Sequence, residues 1–209
     1  MTELRKLCEQ ILKISKSKNK IIIGIDGLGG AGKSTLANAL SEHLQHTHHV
    51  IVFHIDDFIT PRNIRYNENY PEWECYYDLQ WRYDYFVNDV LHPILETSCD
   101  HIEVELYDKE NDTYYIEKYA VKNPTIVIVE GVFLQRKELE NIYDYMIYID
   151  IPEEVRLERV LGRDTYIGND AQITEKYVNR YFPAENYYIE TCKPIDRADY
   201  VICPKSGLC

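Results

Sequence analysis

The sequence predicts an α/β fold in which a parallel sheet is covered on both faces by helices. Apolar runs at 21–25, 50–55, 125–129 and 145–149 alternate with stretches of helical spacing. That alternation is the signature of parallel strands joined by helical crossovers. The first run also feeds a glycine-rich turn, Gly27-Leu28-Gly29-Gly30-Ala31-Gly32-Lys33-Ser34, which opens onto a second helix-like stretch.

Taken in order, Leu4, Leu7, Ile11, Leu12 and Ile14 form a helical stripe over 3–18, ending in a basic turn. A strand follows at 20–26, a helix at 32–47 and a second strand at 50–55 that ends on Asp56-Asp57. An irregular stretch runs through Pro61 and Pro71, and a helix is expected from about Leu79 to Leu95 despite Pro93. Alternating residues over 102–107 and 113–121, parted by Lys109-Glu110-Asn111-Asp112, predict a hairpin. The run at 125–129 closes on Glu130-Gly131, a short helix is expected at 135–141, and the strand at 145–149 comes next. Pro152 then opens a helix to about Arg163, with Glu153 and Glu154 in its first turn. A polar loop at 165–170, a helix at 172–191 and a last strand at 199–202 complete the chain. The whole is expected to be one domain over 1–209, with an insert at about 57–121 over an acceptor site and a lid at about 156–172.

The turn fits the spacing G-x-x-x-x-G-K-S/T between a strand and a helix, the context of a phosphate-binding loop. Glycines let successive N–H groups face one anion, helped by the positive end of the following helix. Gly27, Gly29, Gly30, Ala31, Gly32, Lys33, Ser34 and Thr35 are therefore the expected nucleotide contacts. Lys33 would reach the terminal phosphates of ATP, and the Ser34 hydroxyl would ligate Mg²⁺.

Ligands of parallel sheets gather beyond the carboxyl ends of the strands. Asp26, Asp56-Asp57 and Glu130 all stand there. Glu130 suits the metal, usually through water. Asp56 or Asp57 would accept or align the proton of an acceptor hydroxyl, and the residues alone leave that pair unresolved. Arg156, Arg159 and Arg163 fall at i, i+3 and i+7 on one helix face, with Arg163 at the lid edge, where a guanidinium would stabilise transferring charge. Arg156 is the one expected to pair with Glu153, Glu154 and Glu158 on a solvated face. Arg62 and Arg65, just past Asp56, would read an acceptor phosphate or lie in a solvated loop. His43, His46, His48 and His49 are read as a polar helix end rather than a metal site.

The net charge of −12 argues against nucleic acid or an anionic membrane as partner. No apolar run reaches membrane-span length, and the start of the chain does not read as a signal peptide. The six cysteines form no C-x-x-C pair, which suits reduced thiols in a cytoplasmic protein. Many of the nineteen tyrosines, with both tryptophans, lie between Tyr66 and Tyr119. Most are expected to be packing residues, although such rings also suit a pocket for a ring-bearing small molecule. The oligomeric state stays open, a homo-oligomer included.

The ordered set of motifs resembles the uridine kinase and phosphoribulokinase branch of P-loop kinases, over about residues 20–204. Beside the phosphate loop, His54-Ile55-Asp56-Asp57-Phe58 is similar to that family's D-x-F segment, whose aspartate is the base, and this selects Asp56. Tyr76-Tyr77-Asp78 resembles its ribose-binding segment and Leu106-Tyr107-Asp108 its substrate hairpin. Glu130-Gly131 resembles its strand-end E-G, Arg159 to Asp164 its lid, and Ala198 to Pro204 its terminal strand. Ile59 stands where the family usually has tyrosine. No histidine follows Tyr107-Asp108, and the lid lacks an arginine-glycine pair.

The resemblance implies a P-loop NTPase three-layer fold with sheet order 2-3-1-4-5. It also implies an ATP- and Mg²⁺-dependent kinase for a nucleoside-like acceptor. The catalytic residues would be Asp56, Lys33 and Arg163, the acceptor contacts Asp78, Tyr107 and Arg62, and the metal residues Ser34 and Glu130. A sugar phosphate or vitamin precursor is the alternative acceptor. An ATP-binding regulatory protein is the alternative class, and no N-K-x-D motif marks a GTP switch.

Overall fold

The computed structural model describes residues 3–203, so Pro204 of the terminal motif and Cys209 lie outside it. After helix α1 (Glu3–Ser15) come β1 (Lys20–Gly27), α2 (Lys33–Leu44) and β2 (His49–His54). Short helices α3 (Arg62–Arg65), α4 (Glu72–Asp78), α5 (Tyr83–Tyr85) and α6 (His92–Leu95) precede the hairpin of β3 (His101–Asp108) and β4 (Thr113–Ala120). Then follow β5 (Thr125–Gly131), β6 (Tyr145–Ile149), α7 (Glu153–Arg163), α8 (Asp170–Lys176), α9 (Phe182–Cys192), α10 (Pro194–Arg197) and β7 (Tyr200–Ile202).

Five strands form one sheet in the order β2-β5-β1-β6-β7, every neighbouring pair parallel. Leaving the hairpin strands out of the count, this reads 2-3-1-4-5. β1 and β5 are buried along their whole length, as continuous isoleucine and valine runs require when both faces are covered. Strand alternation splits those runs between two cores. Ile21, Ile23, Ile25, Ile126 and Ile128 pack under α1 and α2, while Ile22, Val127 and Val129 face Phe53, Phe58 and Phe86 on the insert side. Registry pairs Ile25 with Glu130 and Asp26 with Gly131, so the β5 carboxylate ends level with the glycine turn. No helix among the described residues is long and apolar enough to cross a membrane.

Several boundaries differ from expectation: α2 ends at Leu44 rather than 47, and the helix expected at 135–141 is a single turn, Lys137–Leu139. The helix expected from Leu79 starts at Tyr83, because the preceding residues pair with the segment after Asp56. Thr60 N–H donates to Gln80 O at 2.9 Å, Arg82 N–H to Phe58 O at 2.9 Å, and Ile59 bridges Trp81. Helix α4 lies in the stretch expected to be irregular, announced by Pro71 followed by Glu72 and Glu74. Helix α1 stops at Ser15, three residues early.

Two long helical runs contain a π-turn, Phe86–Leu91 and Tyr177–Tyr181, each followed closely by a proline at the start of the next α segment, Pro93 and Pro183. Proline lacks an N–H and clashes with the carbonyl four residues back. One extra residue in the preceding turn moves that carbonyl aside and lets the run continue.

At the end of β5 a Cβ on Gly131 would overlap Ile55 Cγ2 and lie 2.8 Å from Ile55 Cβ. Gly131→Ala is therefore expected to cost about 1–3 kcal/mol by overpacking, read as a lower urea midpoint at unchanged slope.

Candidate active site

The glycine turn passes under α7, which restricts its backbone. Gly30 has φ +79° and a Cβ there would meet Arg156 O at 2.8 Å; Gly32 has φ +96° at the entrance to α2. Lys33, the first residue of α2, is 9 % exposed and donates from Nζ to Leu28 O at 3.0 Å. Burial pushes its ammonium down, against the fields of Glu130, Asp56, Asp26 and Glu185.

Ser34 Oγ donates to Glu130 Oε1 at 2.8 Å, and His54 Nδ1 lies 2.5 Å from the same oxygen. Burial raises the Glu130 carboxyl, but the His54 bond, Lys33 and Ser34 outweigh it and hold it below its usual range. The same contact holds His54 above its ordinary value. A hydroxyl and an ionised carboxylate side by side are hard oxygen donors, the set that suits Mg²⁺. The histidines at the end of α2 go to separate partners: His43 to Ala39 O, His48 to Thr47, and His49 to Ala120 O.

Beyond the loop lies a cavity of about 560 Å³, lined among others by Gly29, Gly30, Lys33, Ser34, Asp56 and Glu130. Asp56 is exposed toward it, with Trp81 Nε1–H donating to Oδ1 at 3.4 Å. Asp57 is half-buried and does not line it, its carboxyl raised by burial. A second hollow of about 550 Å³ opens at the other end of the strands around Lys18, Lys20 and Asp144. There Lys18 pairs with Asp144 and Lys20 serves two carbonyls, so little charge is left for a ligand.

The acceptor residues divide. Tyr107 and Arg62 line the cavity. The Tyr107 hydroxyl is already committed, donating to Asp112 Oδ1 at 2.5 Å and accepting from Arg65 Nη2 at 2.9 Å. Arg62 Nη2 caps Lys109 O at the hairpin tip. Asp78 does not line the cavity: its side chain is 57 % exposed and lies 3.4 Å from Arg136 Nη2. The helix α4 ends at Asp78 and turns its carboxylate outward to that guanidinium, while Tyr76, two residues earlier, lines the cavity instead. Asp78→Ala is accordingly expected to leave KM for the acceptor within about twofold, measured by initial rates, since the buried Arg136 keeps its closer partner Glu138 at 2.7 Å.

Arg163 also lines the cavity but is held by its neighbour, Nε 2.6 Å and Nη2 3.1 Å from the buried Asp164, which also accepts from the Tyr177 hydroxyl at 2.7 Å. Arg156 does not join Glu153, Glu154 or Glu158 on a solvated face. It is 4 % exposed, donating to Ile151 O, Gly29 O and Glu185 Oε2. The α7 axis passes so close to the turn that this position faces inward. Arg159 Nη1 reaches Gly30 O at 3.1 Å. Asp26 serves the loop from below, accepting from Gly27 N–H, Gln135 and Tyr188. Glu185 was invisible to motif reading, since a single glutamate in a tyrosine-rich helix carries no spacing signal. The i, i+3 placement of Arg156 and Arg159 was the one clue that α7 packs on the turn.

The profile of a family described as "AAA domain" matches residues 23–177. The chain is 32 % identical over 195 residues to a uridine kinase of Staphylococcus haemolyticus, covering 90 % of this chain and 89 % of that one. It is 30 % identical over 201 residues to a uridine kinase of Anoxybacillus flavithermus, covering 91 % and 88 %. A solved structure titled as a possible uridine kinase from Bacillus stearothermophilus superposes with TM-score 0.78 at 36 % identity, covering 95 % and 96 %. A putative fructose transport system kinase from Silicibacter shares the fold, with TM-score 0.77 at 18 % identity. Phosphate loop, strand-end acids and relatives agree: the chain belongs to the uridine kinase-like family of P-loop kinases.

Proposed function

We propose that the chain transfers the γ-phosphate of ATP to a hydroxyl of a nucleoside of the uridine or cytidine kind. The observation that carries the transfer is the Asp56 carboxylate facing into the same cavity as Lys33, Ser34 and Glu130. Asp56 aligns the acceptor hydroxyl and takes its proton. Lys33 and the loop amides hold the phosphates. Ser34 and Glu130 hold Mg²⁺, which supplies charge neutralisation on the triphosphate when bound. Arg163, on the lid side, covers the transferring group once it leaves Asp164. The acceptor assignment draws on the family and on the aromatic wall formed by Tyr66, Tyr76, Tyr107 and Tyr181.

One observation favours a second acceptor class. Arg62 and Lys109 line the cavity; the Arg62 backbone N–H is taken by Asp112 Oδ1 at 2.9 Å and its Nη2 by Lys109 O, with no carboxylate accepting from either side chain among the described residues' hydrogen bonds. A neutral nucleoside gives these cations no anionic partner, whereas a hydroxy compound bearing phosphate or carboxylate engages them. The deciding experiment is acceptor-dependent ADP release over matched panels of nucleosides and anionic alcohols, with Mg²⁺ and with EDTA. ADP release with uridine or cytidine supports the first reading, and release only with anionic alcohols supports the second. Tight ATP binding with no acceptor-dependent release overturns both in favour of a binding protein.

A further inference from the structure

The peptide group between Leu28 and Gly29 is held at both ends. Its carbonyl oxygen accepts the Lys33 ammonium at 3.0 Å. Its N–H, which points the opposite way in a trans peptide, donates to Glu185 Oε1 at 2.7 Å. The second Glu185 oxygen accepts Arg156 Nη1 at 2.8 Å, and that same nitrogen reaches the Gly29 carbonyl at 3.1 Å. The pair is almost sealed, with side chains 4 % and 2 % exposed. A guanidinium on α7 and a carboxylate on α9 are thus joined, through one peptide group, to the ammonium that serves the phosphates.

Such a pair is weak evidence of a stabilising role, because apolar residues of like volume often fill the same space at no loss. Apolar residues cannot, however, offer an acceptor to the Gly29 N–H. Hydrogen bonds to a charged partner are roughly twice as strong as neutral ones. Bonds in series also polarise one another in a low-dielectric interior. Glycine at 29, whose φ changes when this peptide flips, puts little steric resistance in the way.

We propose that Glu185 is a positioning residue, fixing the rotation of the Leu28–Gly29 peptide so that its carbonyl keeps the Lys33 ammonium aimed into the cavity, with Arg156 holding the carboxylate in place. Without that carboxylate the peptide turns over, the Leu28 carbonyl leaves Lys33, and the ammonium stays near the phosphates but loses its fixed aim. The loss falls mainly on the transition state, where the orientation of charge counts most. This inference rests on the kinase reading of the same loop.

Two variants of the full chain separate positioning from filling. Glu185→Gln keeps an oxygen for the Gly29 N–H but not the charge. Arg156→Met combined with Glu185→Leu removes both charges and refills the space. The double variant is expected to melt at or above the unaltered chain, yet to lose about tenfold or more in kcat with KM for ATP changed less than about threefold. Glu185→Gln is expected to fall between the unaltered chain and the double variant in kcat. The Gly29 amide proton, read by ¹⁵N NMR, is expected far downfield in the unaltered chain and upfield in the double variant. A stable double variant with kcat within about twofold of the unaltered chain overturns the proposal. Should that variant not fold, the Gly29 amide of the unaltered chain decides. A downfield, exchange-protected proton supports the clamp, and a rapidly exchanging one at a random-coil position sinks it. Absence of acceptor-dependent turnover in the unaltered chain overturns the kinase reading alone, and the Gly29 amide then still tests the clamp.

Discussion

Asp56→Asn is expected to lower kcat by about 10²–10⁴-fold, the range for removing a positioned general base. Its effect should be confined to the acceptor step. The Asn oxygen still accepts from Trp81 Nε1–H, a contact of 3.4 Å, so the local turn survives. Asp56 contributes to the field at Lys33 but does not touch it, and ATP affinity should stay within about threefold by fluorescent-nucleotide titration. Turnover unchanged by the substitution would remove Asp56 from the mechanism. The neighbouring Asp57→Asn is the control: Asp57 does not line the cavity, and its removal should leave kcat nearly intact.

Lys33→Met removes the ammonium at nearly constant shape. The expected loss in kcat is about 10²–10³-fold, the scale for deleting one preorganised donor at developing charge. Unlike Asp56→Asn, this change should also weaken ATP binding, because Lys33 serves bound nucleotide as well as the transition state. The loss in kcat/KM for ATP should therefore exceed the loss in kcat. Steady-state rates over an ATP series separate the two patterns. Equal KM values in the two variants would show that Lys33 does not meet the nucleotide.

Much of this arrangement was legible in the sequence, for identifiable reasons. Buried parallel strands write themselves as β-branched runs, so β1 and β5 were clear, while β6 showed as a short apolar run of tyrosine, methionine and isoleucine. The glycine turn advertises itself through spacing and flanks. Ser34 and Glu130 meet because registry places β5 beside β1, which the strand order already implied. Side-chain direction was the harder matter. The residues of the Tyr76–Asp78 segment sit on a short helix, and a rotation of about 100° per residue decides which of them looks into the cavity. Asp78 lies toward Arg136, whereas the family resemblance implied an acceptor contact. Arg156 showed the reverse error, because the depth of α7 against the turn is a packing property that helical spacing does not encode. The helical register of Glu185 was hidden for the same reason, with a local irregularity added.

That irregularity has a consequence for how this protein tolerates change. Tyr177 and Glu185 both approach Gly29, their nearest side-chain atoms 3.8 Å and 3.2 Å from where its Cβ would stand. Eight residues of ideal α-helix sweep about 800°, which leaves the two about 80° out of phase. The widened turn at Tyr177–Tyr181 absorbs one residue and takes back about 100°, which brings them onto one side. Deleting a single residue from that turn would leave seven residues of regular α-helix, a sweep of about 700°, which keeps the later side chains of α9 in phase but returns a carbonyl against Pro183. A deletion in the regular part of α9 has no such slack: it turns every later side chain by about 100°, a change of gearing.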